Sequence, residues 1–300
     1  MTNSKLKGIL NLLLCFGIAM ALFLVVILSI SALGMISGWE PLVNYLNGTS
    51  AVENTPFENT LLDIVLSSAQ NGGFILGTFL VALLIWKKKL KDLGLTSLKR
   101  DGKDLLVGLL VGIGGITVVF LLLMITGSVT VVSVSTKYLS VVLLSFISYI
   151  SVGLGEEILS RGGFMLALKG TKSKLLIILV PSVIFGLMHM GNNGISVLAL
   201  ANLCLFGLLT SYCFYRSGNI WVPIGMHITW NYFQGNIFGF HVSGTTNYSL
   251  VNLNIAKENI LTGGEFGPEG GIGVTIALIL MFFVVRFYYR NLGQNSFEQG

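Results

Sequence analysis

Charged side chains are scarce in this chain. Only 10% of its 300 residues are Asp, Glu, Lys or Arg, whereas 53% are hydrophobic and the mean hydropathy is +0.83. A soluble domain carries roughly 25% charged residues. The composition therefore excludes a soluble enzyme and predicts an integral, polytopic membrane protein.

Cysteine is scarce as well. Cys15, Cys204 and Cys213 all lie in apolar runs, so the sequence has neither a disulfide framework nor a CxxC metal site. The net charge of +5 does not indicate nucleic-acid binding, because basic residues in a membrane protein mark the cytoplasmic side. The expected surroundings are a lipid bilayer, with no nucleic-acid partner.

Long apolar runs, by contrast, are abundant. A bilayer-spanning helix needs about 20 apolar residues, and backbone groups in lipid must bond within the helix. The N-terminal run from Ile9 to Ile36 has no convincing small-residue cleavage site, so we interpret it as a retained helix. The sequence thus predicts an all-α protein with about eight transmembrane helices, roughly at 9–36, 60–86, 105–126, 138–168, 174–190, 195–215, 219–240 and 271–289.

The basic residues predict the orientation of these helices. With the N-terminus in the cytoplasm, 15 of the 18 Lys and Arg residues fall on the cytoplasmic side, only Lys137 and Lys257 face out, and Arg161 lies within the fourth helix. This asymmetry predicts that both termini are cytoplasmic. The predicted outer loops 37–59 and 241–270 carry six glutamates: Glu40, Glu53, Glu58, Glu258, Glu265 and Glu269.

Three charges interrupt the fourth apolar run. Glu156, Glu157 and Arg161 lie inside it, although a charge in the hydrocarbon region costs at least ~2.5–3.5 kcal/mol. The other acidic residues, Asp63 and Asp104 included, are assigned to loops, tails or helix ends. Intramembrane ionisable residues of this kind indicate a functional site.

Further polar residues are predicted to lie at the same depth. Glu156 lies 13 residues before Lys169, and His189 lies 15 after Lys174, so both stand about 20 Å from a short basic turn. By the same rise of ~1.5 Å per residue, His227 and Asn231 lie roughly 16 and 22 Å above Arg216. These groups, carried by three helices, therefore share one membrane layer.

Helical spacing predicts which of these side chains face each other. Glu157 and Arg161 are four residues apart and can pair, whereas Glu156 points about 100° away and stays free for proton chemistry. His227 and Asn231 also share a face, as do Phe185 and His189.

This set suits peptide-bond hydrolysis. A carboxylate in a low-dielectric site can act as a general base for water, a histidine can hold that water, and a second histidine with an amide can stabilise an oxyanion. Glu156, His189 and His227 would also suit a catalytic zinc ion, although the HExxH signature is absent.

Three motifs together resemble one family. Glu156-Glu157-x-x-x-Arg161, Phe185-x-x-x-His189 and His227-x-x-x-Asn231 are similar, in order and in placement, to the CAAX-protease and bacteriocin-processing (CPBP, or Abi) intramembrane proteases. The flanking Ser217–Pro223 stretch agrees, and the likeness covers about 138–240.

The resemblance implies a role for each residue. Glu156 would activate water with help from His189, His227 and Asn231 would form the oxyanion pocket, and Glu157 and Arg161 would give structural support. We favour a mechanism without a metal cofactor, and zinc is the alternative. The implied function is an intramembrane endopeptidase of a bacterial cell membrane, acting on a peptide precursor, a signal-peptide remnant or a membrane protein.

Two alternatives stay open at this point: a non-catalytic bacteriocin-immunity or scaffold protein, and a proton-coupled transporter. The predicted organisation has three parts. Residues 1–137 form three helices with a basic cytoplasmic linker at 87–104, residues 138–240 form the catalytic core, and residues 241–300 form an outer loop and the last helix. The outer loop is predicted to be irregular and could cover an outer opening.

Overall fold

The structure of the protein is a computed structural model. It describes residues 3–49, 54–255, 260–291 and 297. Three of the charged residues assigned to outer loops, Glu53, Lys257 and Glu258, lie outside the described residues.

All eight predicted apolar segments form helices. The helices are α1 (Asn3–Ser37), a short α2 (Glu40–Leu46), α3 (Pro56–Phe79), α4 (Leu98–Ile125), α5 (Leu139–Glu157), α6 (Met165–Lys169), α7 (Lys174–Leu187), α8 (Val197–Ser217), α9 (Trp221–Tyr232) and α10 (Ile272–Tyr288). Segments of π-helix extend α3 over Leu80–Ile85, join α5 to α6 over Ile158–Phe164 and extend α9 over Phe233–Ile237.

Six helical stretches of the described chain are long and apolar enough to cross a membrane: Asn3–Ser37, Pro56–Ile85, Leu90–Ile125, Leu139–Lys169, Val197–Ser217 and Ile272–Asn291. The fifth predicted segment forms the 14-residue α7, and the seventh forms α9 with its π-helical extension. The protein is therefore an α-helical, polytopic integral membrane protein. The count of eight crossings and the cytoplasmic placement of both termini stay predictions.

Two short strands accompany the helices, and they were not predicted from the sequence. Residues Val129–Val134 and Val251–Ile255 form two antiparallel strands, β1 and β2, with Val129 opposite Ile255. Strand β1 is rich in Val and Thr, which favour strands, and Gly127, at φ 68°, follows the end of α4. Strand β2 lies in loop 241–270, the predicted outer loop, which is thus less irregular than predicted.

A short turn determines where α9 begins. Gly218 ends α8 in the left-handed conformation at φ 72°. The next residue, Asn219, donates from its side-chain amide to Asp104 over 2.6 Å, and its side-chain oxygen accepts the backbone N–H of Trp221 over 3.1 Å. The turn therefore ties the start of α9 to α4 and so helps to position His227 and Asn231.

Small residues bring α4 and α9 together. A side chain at Gly108 would collide with the backbone of Val222, and one at Gly112 would collide with Met226 and Thr229. Gly225 in turn lies against the backbone of α4. This is the close helix approach that the GxxxG spacing permits in membranes, and here it packs the helix that carries His227.

Helix α9 also lies between two apolar clusters. Its Ile224 and Ile228 belong to a cluster built mainly on α1, α3, α5 and α7. Its Met226 and Trp230 belong to a second cluster built on α4, α8 and α10. The helix is buried over nearly its whole length, so its polar side chains are held in fixed positions.

Candidate active site

Glu157 and Arg161 form a buried ion pair. The Arg161 Nη1 and Nε atoms each lie 3.2 Å from a Glu157 carboxylate oxygen, and both side chains are 0% exposed. The pair spans the junction between α5 and the π-helical segment, and π-helical turns frequently occur at functional sites. The contact agrees with the pairing predicted from the spacing of four residues.

Arg161 has further partners. Its Nη2 donates to the Gly207 carbonyl oxygen over 3.3 Å, and its guanidinium lies 4.6 Å from the centre of the Phe185 ring. A buried charge is tolerated only when it is paired and hydrogen-bonded. Glu157, the Gly207 carbonyl and the ring face provide that compensation.

His227 bonds to the same carboxylate. Its Nδ1 lies 2.9 Å from the Glu157 Oε1 atom. Since a carboxylate only accepts, Nδ1 carries the proton and donates it to this bond. The Nε2 atom is then directed to the side of Glu156, and the carboxylate stabilises the imidazolium form of the ring.

Glu156 lies between the two imidazoles. Its Oε2 atom is 3.9 Å from the His227 Nε2 atom and 4.0 Å from the His189 Nε2 atom. Within the described structure this Oε2 atom is buried and has no hydrogen-bond partner. A separation near 4 Å is too long for a direct hydrogen bond, but one water molecule can bond to both groups across it.

His189 is oriented by its own helix. It follows the end of α7 at Leu187, and its Nδ1 atom lies 2.9 Å from the Phe185 carbonyl oxygen. A carbonyl oxygen can only accept, so Nδ1 is the protonated nitrogen and Nε2 is left as an acceptor in the neutral ring. The arrangement directs a basic nitrogen toward Glu156.

The four predicted catalytic residues line one cavity. Its volume is about 210 Å³, and Glu156, His189, His227 and Asn231 all lie in its wall. Phe185 and Phe206 pack against the His227 ring at centroid distances of 6.0 and 5.3 Å. We call this space the Glu156 cavity. The structure brings the residues together, while their catalytic roles stay predictions.

Two further carboxylates line the Glu156 cavity. Asp63 was assigned to a helix end, and it lies in the third turn of α3, where its side chain reaches the cavity. The sequence signal that could have indicated this role was an acidic residue inside the apolar segment 60–86. Position in the segment alone does not show which way a side chain points.

Glu269 reaches the cavity from the outer loop. Its carboxylate accepts hydrogen bonds from the Ser243 backbone N–H over 2.6 Å and from the Ser243 hydroxyl over 2.9 Å. Burial raises the pKa of the Glu269 carboxyl above its ordinary value, and the hydrogen bonds from Ser243 oppose that shift.

The outer loop contributes more than one side chain to this wall. Val242, Ser243, Thr245 and Asn247 line the cavity beside Glu269. The remaining loop histidine, His241, does not line it, and its Nδ1 atom lies 2.9 Å from the Glu265 carbonyl oxygen.

The donor atoms allow a test of the zinc alternative. Zinc ligands lie about 2.0–2.2 Å from the metal, and the nitrogen and oxygen atoms of Glu156, His189 and His227 are of the right type. Among the described residues, however, no group of three or more His, Cys, Asp or Glu side chains is arranged to hold a metal ion. The donor types of these three side chains fit zinc, but their spacing in the described structure does not.

One comparison with known proteins found a match. The family model "Type II CAAX prenyl endopeptidase Rce1-like" matches residues 138–233, a segment that contains all three motifs. The comparisons with curated proteins and with solved structures found no match. The segment 138–233 is Rce1-like, and the resemblance of this chain to the CPBP family of CAAX proteases is confirmed.

Proposed function

We propose that the protein is an intramembrane endopeptidase in which Glu156 activates the attacking water. One observation carries the proposal: the Glu156 carboxylate lies within 4.0 Å of two imidazoles in a cavity inside a helical membrane protein. The neighbouring Glu157 is already compensated by Arg161. Glu156 is therefore the carboxylate available for proton transfer.

The reaction follows from these positions. A water molecule bonded to Glu156 and to the His189 Nε2 atom gives a proton to Glu156 while its oxygen bonds to the peptide carbonyl carbon. The carbonyl oxygen becomes an oxyanion, which accepts hydrogen bonds from the imidazolium of His227 and the amide of Asn231. The C–N bond then breaks, and Glu156 returns the proton to the leaving amine.

The ion pair behind the cavity supports this sequence of steps. His227 can donate from Nε2 only when both ring nitrogens carry protons, because Nδ1 already donates to Glu157. Glu157 accepts the Nδ1–H of His227 on one side and contacts the Arg161 guanidinium on the other. Phe185 contacts Arg161 and both imidazole rings, which limits their freedom to move.

The mechanism we favour requires no metal. A zinc ion held by Glu156, His189 and His227 would supply Lewis-acid activation of the same water. In either case the chain positions the water with the same carboxylate and imidazoles.

The substrate we propose is a peptide precursor or a membrane-protein segment in the bilayer of a bacterial cell. The helices that surround the Glu156 cavity support substrate delivery from the membrane. The description of the matched family, a type II CAAX prenyl endopeptidase, supports an endopeptidase activity. Nothing in the composition supports a nucleic-acid partner.

The test is peptide cleavage by purified protein, comparing wild type with Glu156→Gln and His189→Ala, each with and without a chelator. We expect both variants to lose cleavage by a factor of about 10²–10⁴ while the chelator has no effect. Chelator inactivation that zinc reverses would instead assign Glu156 to a metal site. Undiminished cleavage by Glu156→Gln would refute the proposal.

A further inference from the structure

A second cavity lies beside α6 and the turn that follows it, and it shares no lining residue with the Glu156 cavity. It has a volume of about 1100 Å³ and is lined by the start of α1, the end of the α3 extension and the turn between α6 and α7. Lys7, Lys88, Lys169 and Lys172 line it, and none of its described lining residues is acidic. We call it the lysine cavity.

Three of the four lysines of this cavity have no carboxylate partner within the described part of the chain. Lys7, Lys88 and Lys172 form no ion pair with any carboxylate of the described residues. Lys169 differs, because its ammonium lies 5.0 Å from the centre of the Phe297 ring. Like charges around one cavity repel each other, so an anion bound among them would be stabilised.

The backbone keeps these residues close together. Gly8 on α1 lies against Thr171 and Ala167, and a side chain at Gly8 would collide with Thr171. Lys172 has a φ of 54°, a conformation that is uncommon for residues other than glycine. The turn between α6 and α7 is thus packed directly against the start of α1, which places Lys7 and Lys172 in one wall.

The wall also contains an unsatisfied donor and an apolar floor. Trp86 lines the cavity, and its buried indole N–H has no hydrogen-bond partner among the described residues. Ile85, Leu166 and Ile177 line the same space. Cationic groups above apolar side chains fit a molecule with an anionic head and a hydrocarbon chain.

We propose that the lysine cavity binds the phosphate group of an anionic phospholipid. The ammonium groups would bind the phosphate, and the apolar floor would contact the acyl chain. The cavity lies at the ends of three helices that cross the membrane by length and composition. Basic pockets between membrane helices are known to suit such head groups, and each lysine contributes about 1 kcal/mol near an anionic surface. The inference is independent of the proposed peptidase function.

The test titrates the full-length protein in neutral detergent with phosphatidylglycerol and counts bound lipid by native mass spectrometry. We expect saturable binding of phosphatidylglycerol and none of phosphatidylcholine. The variant Lys88→Gln/Lys172→Gln is expected to bind about thirtyfold more weakly, since each lysine is worth roughly a factor of five. Lys88→Arg/Lys172→Arg, which keeps both charges, is expected to retain binding.

The matched control is Lys5→Gln/Lys99→Gln, which removes two exposed lysines that do not line the cavity. Its affinity is expected to equal that of the wild type. An equal loss in both pairs would overturn the proposal, because it would reflect the charge of the whole face. Binding of phosphatidylcholine with the same affinity would overturn it too.

Competition with inorganic phosphate or glycerol phosphate shows whether the cavity binds the phosphate of a lipid or a soluble phosphate. We expect neither to compete with phosphatidylglycerol at equal concentration, because they lack the chain that contacts Ile85, Leu166 and Ile177. Competition at equal concentration would reassign the cavity to a soluble phosphate and overturn the lipid assignment.

Discussion

Two neighbouring carboxylates on α5 lie in different environments, one on the side of the helix that faces the cavity and one on the side that faces the protein interior. On the cavity side, the Glu156 side chain is 12% exposed, and its Oε2 atom has no hydrogen-bond partner among the described residues. On the interior side, the Glu157 side chain is 0% exposed and contacts both Arg161 and His227. One residue of helical rotation therefore separates a carboxylate available for chemistry from one committed to structure.

The difference shows how a membrane interior can hold a reactive acid. A single arginine compensates one of the two glutamates, and the geometry directs it to Glu157. The compensated pair then orients His227, which is one of the two imidazoles near Glu156. The structural charge and the proposed catalytic charge thus belong to one connected network.

The largest expected effect is on stability, and it comes from replacing each of the two neighbouring glutamates by glutamine. Glu157→Gln leaves the buried Arg161 without a counter-charge, so the free energy of unfolding is expected to fall by about 3–5 kcal/mol. Glu156→Gln changes a side chain whose Oε2 atom has no hydrogen-bond partner among the described residues, and we expect stability equal to or above that of the wild type. Reversible unfolding in mixed SDS micelles measures both, and equal losses would contradict the comparison.

The next effect concerns the proposed oxyanion pocket. Asn231→Ala removes one donor to the oxyanion, and kcat is expected to fall by about 10²–10³ with the KM little changed. Asn252→Ala is the matched control, because Asn252 lies on β2 and bonds to the Ser133 hydroxyl. The measurement is the steady-state kcat and KM of both variants with one peptide. Similar kcat values for the two would show that Asn231 does not stabilise the oxyanion.

A smaller effect tests how the cavity wall is held in place. Gly112→Ala puts a side chain against the backbone of Met226 and the hydroxyl of Thr229, and the resulting strain is expected to cost about 1–3 kcal/mol of stability. Gly114→Ala on the same helix meets nothing within 4 Å, so it is expected to be neutral or slightly stabilising. The same unfolding assay compares the two, and similar values would mean that the contact between α4 and α9 is not tight.

The smallest expected effect is a pH dependence from the loop carboxylate. Burial raises the pKa of Glu269, so the folded state holds its proton to higher pH than the unfolded state does. The free energy of unfolding is therefore expected to decrease as pH rises from about 4.3, the ordinary value for glutamate, through the raised pKa. Glu269→Gln is expected to flatten this slope, and an unchanged slope would assign the pH dependence to other groups.

Several features of the molecule could be predicted from sequence because they depend on local spacing. The pairing of Glu157 with Arg161 follows from a separation of four residues, and the junction with the π-helical segment did not abolish it. The placement of Glu156, His189, His227 and Asn231 in one cavity follows from helix rise and from the short turn between α6 and α7. Each of these inferences used distances along a helix or across one turn.

Other features could not be predicted in this way. The side chain of Asp63 faces the cavity because α3 packs beside α5. The rotation of α3 about its own axis cannot be inferred from the sequence pattern. Glu269 lies far along the chain from α5, and its position depends on how the outer loop folds back. The pairing of β1 with β2 joins residues more than a hundred positions apart.

The sequence by itself determined the helical segments, the costly charges among them and the family to which residues 138–233 are similar. It could do so because hydrophobic length and short-range periodicity are local properties of the chain. Only the tertiary structure decided that the Glu157 carboxylate also contacts His227, that Asp63 and Glu269 line the Glu156 cavity, and that four lysines line a second cavity. These facts depend on the rotation and packing of helices that are distant in sequence, and many weak contacts together set that arrangement.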